Sequence, residues 1–192
     1  MQRLTFALAA AGLAACGFGQ EFKLGSKVGG FTLKDVAGAP VALEKLKGKV
    51  TVIGFIATKC PISNDYNARM KALYTDYQER GVRFVFINPN STEPAAEVAE
   101  HTRQNGFPFP VYKDDNNVVA DRFGAEFTPE VFVLDQGGVI RYHGAIDDSR
   151  AAARIKTHYL RRALDAMLAG QQVDPAETRA FGCTIKRAKK AS

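Results

Sequence analysis

The chain has no apolar run approaching the roughly 20 residues that a membrane-spanning helix needs, and it shows no internal repeat or low-complexity tract. The expected folded part is therefore a soluble domain rather than a spanning protein or a solenoid. Cysteine is scarce, at three residues, and the three histidines, His101, His143 and His158, are scattered without the spacing of a metal-ligand set. No metal and no resident cofactor is expected. Aromatic residues do not interleave with basic ones as they do on a nucleic-acid surface, so no nucleic-acid partner is expected either.

What remains is a chain of 192 residues, 46% hydrophobic and 24% charged, which suits a single domain with a substantial core. It begins MQRLTFALAAAGLAAC, with one cation at Arg3 and then an apolar run from Leu4 to Ala15, the layout of an export signal. The close of that run, Leu13-Ala14-Ala15-Cys16, resembles the lipobox of bacterial lipoproteins, in which the cysteine is lipidated. An ordinary secretory signal cut nearby is the alternative. Residues 1–16 are thus read as signal, 22–169 as the folded domain and 170–192 as a basic tail. Either reading of the signal places the mature protein in the periplasm or cell envelope, where disulfides persist, and allows membrane contact only through a lipid anchor.

The net charge of +6 is uneven: residues 150–192 hold ten Lys or Arg against three acids, whereas residues 4–149 hold fifteen against seventeen. The basic end could suit an anionic lipid surface or an acidic partner, but a solvated helix face with a charged tail is the plainer and preferred account.

Hydrophobic periodicity divides the domain into elements. Phe31–Asp35 and Val41–Leu46, around Gly38 and Pro40, read as a short hairpin. Val50–Ala57 is a nearly continuous β-branched and apolar run, the pattern of a strand buried on both faces. After Pro61 the apolar residues Ile62, Tyr66, Met70, Leu73 and Tyr77 follow helical spacing, stopped by Gly81. Val82–Asn88 is a second buried strand and Pro94–Asn105 a second helix. Phe109–Tyr112 reads as extended and Val118–Phe123 as a brief helix. Glu130–Leu134 and Val139–His143 then form a hairpin, and a last helix spans Arg150 to Leu168. This order implies a three-layer α/β domain with a mixed sheet.

Chemistry concentrates at Cys60. It stands where a buried strand ends and Pro61 opens a helix, so amide hydrogens at the helix start favour a thiolate, and Lys59 adds positive charge beside it. An inert buried cysteine is the plain alternative.

Strand, Lys59-Cys60-Pro61-Ile62-Ser63, helix, and later Thr128-Pro129 before a strand together resemble the thioredoxin fold, specifically its redoxin or peroxiredoxin-like (AhpC/TSA-like) branch. The resemblance runs from Phe22 to Leu168. It implies a thioredoxin-like α/β/α fold and a cis Pro129 lying against the cysteine, where the backbone of Thr128 pairs with an extended substrate. Lys59, Ser63, Thr128 and Pro129 become candidate substrate contacts. Departures limit the analogy. Ser63 replaces the second cysteine of a CxxC motif, Gly54 replaces a buried acid, and Ile53 and Ala57 stand where a peroxiredoxin has the Pro and Thr that frame a peroxide. Glu130, beside Pro129, is a candidate acid or base, or else a solvated carboxylate at a strand edge. Arg141 is a weaker candidate for binding an oxidised substrate.

Cys183, in Phe181-Gly182-Cys183-Thr184-Ile185, lies in a tail expected to be polar and loosely constrained. It reads as a thiol that resolves Cys60, as a tail anchor, or as a surface thiol without consequence. The function expected is that of a thiol-disulfide oxidoreductase or a peroxiredoxin-like antioxidant protein: Cys60 attacks a disulfide, sulfenic acid or peroxide, the partner being a thiol or disulfide protein or a small-molecule oxidant, and Cys183 or an external reductant completes the cycle. Two alternatives stay open, a thioredoxin-fold binding module without turnover and, with less support, a copper handler.

Overall fold

The computed structural model describes residues 21–189. The proposed signal and Cys16 lie outside those residues. A mixed sheet of seven strands forms the middle layer, in the order β2-β1-β5-β4-β3-β7-β8. Its centre is β3 (Val50–Phe55), buried at every position. β4 (Val82–Asn88) lies parallel on one side of it and β7 (Glu130–Asp135) antiparallel on the other. β5 (Val111–Lys113) continues the parallel half, and β8 (Ile140–Gly144) extends the antiparallel half. The hairpin β1 (Thr32–Lys34) and β2 (Pro40–Ala42) closes the far edge. Its turn is held by Asp35, whose carboxylate accepts from the N–H groups of Ala37 and Ala39.

Continuous apolar strands imply cover on both faces, and two separate clusters supply it. One packs Tyr66, Met70, Leu73, Val98, Leu160 and Leu164 against the sheet, drawn from α2 (Asn67–Tyr77), α3 (Ala95–Gln104), α5 (Tyr159–Leu168) and the turn before α2. The other is built around Phe22, Phe55, Phe123 and Phe132, with α4 (Val118–Phe123) lying over it. The result is the thioredoxin-like α/β/α arrangement expected.

Three segments depart from expectation. The helix after Pro61 is two pieces, α1 (Pro61–Asn64) and α2, separated at Asp65 and Tyr66. Tyr66 keeps a right-handed backbone, φ −92° and ψ −4°, so the apolar spacing survives the break. Its ring is buried beneath the Arg69 guanidinium, 3.5 Å from the ring centre. The last helix starts at Tyr159 rather than Arg150. The alanine-rich stretch before it favours helix intrinsically, but tertiary hydrogen bonds override that preference: Asp148 accepts from the Lys156 N–H, and Arg69 donates to the carbonyls of Ser149 and Arg150.

The third departure is the tail. Val173, Ala180 and Ile185 are buried, and the backbone of residues 176–178 hydrogen-bonds to His143 at the edge of β8. The chain then forms β9 (Cys183–Thr184), antiparallel to β6 (Phe127–Thr128). The tail covers a sheet edge that would otherwise present unpaired backbone groups.

Candidate active site

The C-terminal end of β3 delivers the loop that carries Cys60. The N–H groups of Thr58 and Lys59 donate to the two carboxylate oxygens of Glu93, at 2.8 and 3.0 Å. The Thr58 carbonyl accepts from the Asn64 side-chain amide at 2.9 Å. The Asn64 side-chain oxygen in turn accepts from His101 Nε2 at 3.0 Å. Burial lowers the pKa of His101 against the opposing pull of Glu93 and Glu97, which leaves a neutral ring able to donate in this way.

Cys60 is the N-cap of α1, with Pro61 as the first helical residue. The Ser63 N–H donates to Cys60 Sγ at 3.2 Å, and Ser63 Oγ accepts from the Ala57 N–H at 3.0 Å. Both supports expected for a thiolate are altered. α1 is only four residues long, so a long helix dipole is replaced by the single Ser63 N–H. Lys59 Nζ turns to α3 and pairs with Glu97 at 2.9 Å, so its charge answers a carboxylate rather than the sulfur.

From the opposite side comes the Thr128–Pro129 peptide, which is cis. The Thr128 carbonyl oxygen lies 3.4 Å from Cys60 Sγ. Beside it runs β9, in the register Thr128 to Cys183 and Phe127 to Thr184. Cys60 and Cys183 are joined in a disulfide, with Cα atoms 6.0 Å apart and a sequence separation of 123. Gly182 permits this approach. A Cβ there would collide with the Thr128 carbonyl and stand 3.2 Å from the Pro129 nitrogen.

Glu130 is buried, not a solvated edge carboxylate. It accepts from the N–H groups of Glu126 and Phe127 at 2.8 and 2.9 Å, and it bonds His143 Nε2 at 2.7 Å. These bonds hold β6 in place; none reaches Cys60. His143 also bonds Glu177 and stacks on Phe132 at 4.2 Å. Burial works against its charge, but the hydrogen bonds and charges of Glu130 and Glu177 outweigh that and raise its pKa. Arg141 pairs with Asp135 at the other end of β7, remote from the sulfur. His158 bonds Asp147, so the three histidines serve three separate partnerships.

The residue that sequence reasoning missed is Glu93. Besides Thr58 and Lys59 it binds the side-chain amides of Asn88 and Asn90. Burial alone would raise its pKa; these hydrogen bonds outweigh burial and lower it. Beneath them Lys113 donates to Asn88 Oδ1, the Asn90 carbonyl and the Glu93 carbonyl, all within 2.9 Å. Asn90 Oδ1 accepts from the Lys186 N–H at 2.8 Å. One buried polar cluster therefore holds both cysteine-bearing segments. Locally, Ser91-Thr92-Glu93-Pro94 reads only as an acid before a helix.

The substitutions noted in the sequence have structural correlates. Gly54 has no room for an acid, because a Cβ there would meet the Phe86 ring at 2.9 Å. Ile53 is fully buried and the Ala57 N–H is committed to Ser63, so the two positions that would frame a peroxide offer it no polar group.

Known proteins share this architecture. Residues 24–143 match the model of the AhpC/TSA family. The thiol-disulfide oxidoreductase ResA of Halalkalibacterium halodurans is 29% identical over 122 residues, which cover 63% of this chain and 68% of that one. The chloroplastic peroxiredoxin Q of Sedum lineare is 32% identical over 119 residues, 58% of this chain and 62% of that one. Among solved structures, a conserved protein from Geobacillus kaustophilus superposes with a TM-score of 0.82 at 34% identity, covering 88% of this chain and 95% of its own. By fold, family match and these relatives, the chain belongs to the AhpC/TSA family, within the thioredoxin-fold redoxins.

Proposed function

We propose that the protein is an exported thiol-disulfide oxidoreductase in which Cys60 is the nucleophile and Cys183 the resolving thiol. The observation that carries this reading is the pairing of the two cysteines beside the cis Thr128–Pro129 peptide. Similarity to ResA supports the reaction class.

In the reducing direction the Cys60 thiolate attacks one sulfur of a partner disulfide, forms a mixed disulfide and expels the partner's other sulfur as thiolate. The Cys183 thiolate then attacks Cys60 Sγ, forms the Cys60–Cys183 bond and expels the remaining partner thiolate. Two electrons pass to the partner, and an external reductant restores the dithiol. The 6.0 Å separation of the Cα atoms meets the geometric need of the second step. Ser63 N–H supports the attacking sulfur. Peroxide is a poor substrate on this reading, since Ile53 and Ala57 cannot polarise it.

Trapping tests the proposal. Cys183→Ser should accumulate mixed disulfides that vanish on reduction, and Cys60→Ser should form none; the opposite pattern would assign the attack to Cys183. Export and lipid anchoring rest on residues 1–16. Cys16→Ala should abolish membrane association, and unchanged partitioning would leave an ordinary secretory signal.

A further inference from the structure

The segment that closes the disulfide also occupies the backbone edge of β6. It arrives as an extended strand, and after the Thr128 to Cys183 register the Ile185 N–H continues the pairing by donating to the Glu126 carbonyl at 2.9 Å. The position before the cysteine passes so close to the Thr128 carbonyl that only glycine fits. Two residues before the cysteine, the Phe181 ring meets Tyr66 edge-on at 6.3 Å. Two residues after it, Ile185 is 6% exposed and joins the apolar cluster on the other face of the sheet. Beyond that, Lys186 is bound by Asn90, Arg187 by Asp121, and the Ala188 N–H by Asn117. The segment is thus seated by contacts independent of the sulfur bond. While it stays there, no second chain can pair along β6 to reach Cys60.

The thioredoxin-fold resemblance already implies an extended substrate along the Thr128 backbone; we propose that residues 181–185 occupy that edge as a tethered competitor. We further infer, resting on the oxidoreductase reading above, that the outside partner is an extended polypeptide whose cysteine directly follows a glycine. The partner competes with the tail for this edge. The filter is steric: the Thr128 carbonyl that excludes a side chain from position 182 meets the corresponding partner residue in the same place. Apolar residues two before and two after the partner cysteine match Tyr66 and the Ile185 seat.

The test uses the full-length, reduced Cys183→Ser protein and peptides carrying thionitrobenzoate in disulfide linkage on their cysteine. Cys60 thiolate bonds to the peptide sulfur, and thionitrobenzoate leaves with the electron pair and is read by its absorbance. The peptide Phe-Gly-Cys-Thr-Ile should react roughly ten-fold or more faster than Phe-Ala-Cys-Thr-Ile, the scale of one overpacked methyl group. Adding Gly182→Val to the Cys183→Ser protein should unseat the tail and accelerate the glycine peptide. Equal rates for the two peptides would overturn the filter, and no acceleration in a folded Gly182→Val protein would overturn the competition. Should that double variant fail to fold, a graded addition of free Phe-Gly-Ser-Thr-Ile decides the competition: it slows the reaction if the edge binds polypeptide and leaves it unchanged if not. A Cys60 inert even toward the mercaptoethanol-thionitrobenzoate disulfide would overturn the oxidoreductase reading itself, and this inference with it.

Discussion

At Cys60 the surroundings of the sulfur are set less by a helix dipole or by Lys59 than by Ser63 and by the buried carboxylate under the loop. Glu93 accepts two backbone donors and two side-chain amides, and each needs its oxygens. Glu93→Gln exchanges one acceptor for a donor and strands the half-buried N–H of Thr58 with the buried Asn88 amide, or that of Lys59 with the buried Asn90 amide. The expected loss is about 1–3 kcal/mol in urea unfolding, with faster alkylation of reduced Cys60 as its loop loosens. The pKa of Glu93 is lowered by folding, so its contribution is present above the unfolded value and is lost as pH falls through the lower folded value. Glu93→Gln should therefore show a smaller fall in stability than the parent protein on acidification below about pH 4.3, the ordinary Glu value. His143 has the opposite sign. Its pKa is raised by folding, so its contribution is full below about pH 6.5, the ordinary value, and is lost as pH rises through the higher folded value. Replacing His143 with Gln should flatten that alkaline decline, measured as urea midpoint against pH. An unchanged slope would assign the decline to other groups.

Among the elements, those governed by continuous apolar runs were legible in sequence. β4 begins and ends at Val82 and Asn88 as the pattern implies, and α4 spans Val118–Phe123. Gly81 ends the preceding turn in a left-handed conformation, φ +89°, which explains the stop signal. Elements set by long-range polar contacts were not legible. Nothing near Arg150 shows that Asp148 and Arg69 will take the backbone of the following residues, and Val173, Ala180 and Ile185 have no common period to mark a packed tail. Cys60, Thr128, Pro129 and Cys183 could be singled out from the sequence as site candidates, whereas Glu93 needed the contact between two distant loops. The strand–strand contact at Gly54 yields its own prediction. Gly54→Asp would place a carboxylate against Phe86 in a closed position, combining overpacking of about 1–3 kcal/mol with an unpaired buried acid. Gly54→Ala, carrying only the steric part, should be the less damaging of the two in thermal unfolding; equal damage would mean the acid finds a partner there.

Across the whole molecule, the Cys60–Cys183 bond closes a loop spanning 123 positions, from the segment after β3 to β9. Chain-entropy reasoning for a loop of this size gives a stabilisation of about 5 kcal/mol relative to the dithiol form. Guanidinium unfolding with and without reductant should show a gap of that order. The seating of Ile185, Lys186 and Arg187 predicts that the reduced protein still keeps its tail docked, so that reduction lowers stability without unfolding the sheet. The central claim is that this bond is a working redox couple. Its most direct test is equilibration of the intact protein across a series of thiol-disulfide buffers, followed by alkylation and peptide mass mapping. The account predicts that Cys60 and Cys183 titrate together as one two-electron couple, joined to each other when oxidised, at a potential less negative than the roughly −300 mV below which structural disulfides fall. Both thiols free at every oxidising setting, or a Cys60–Cys183 bond that resists reduction beyond that value, would contradict it.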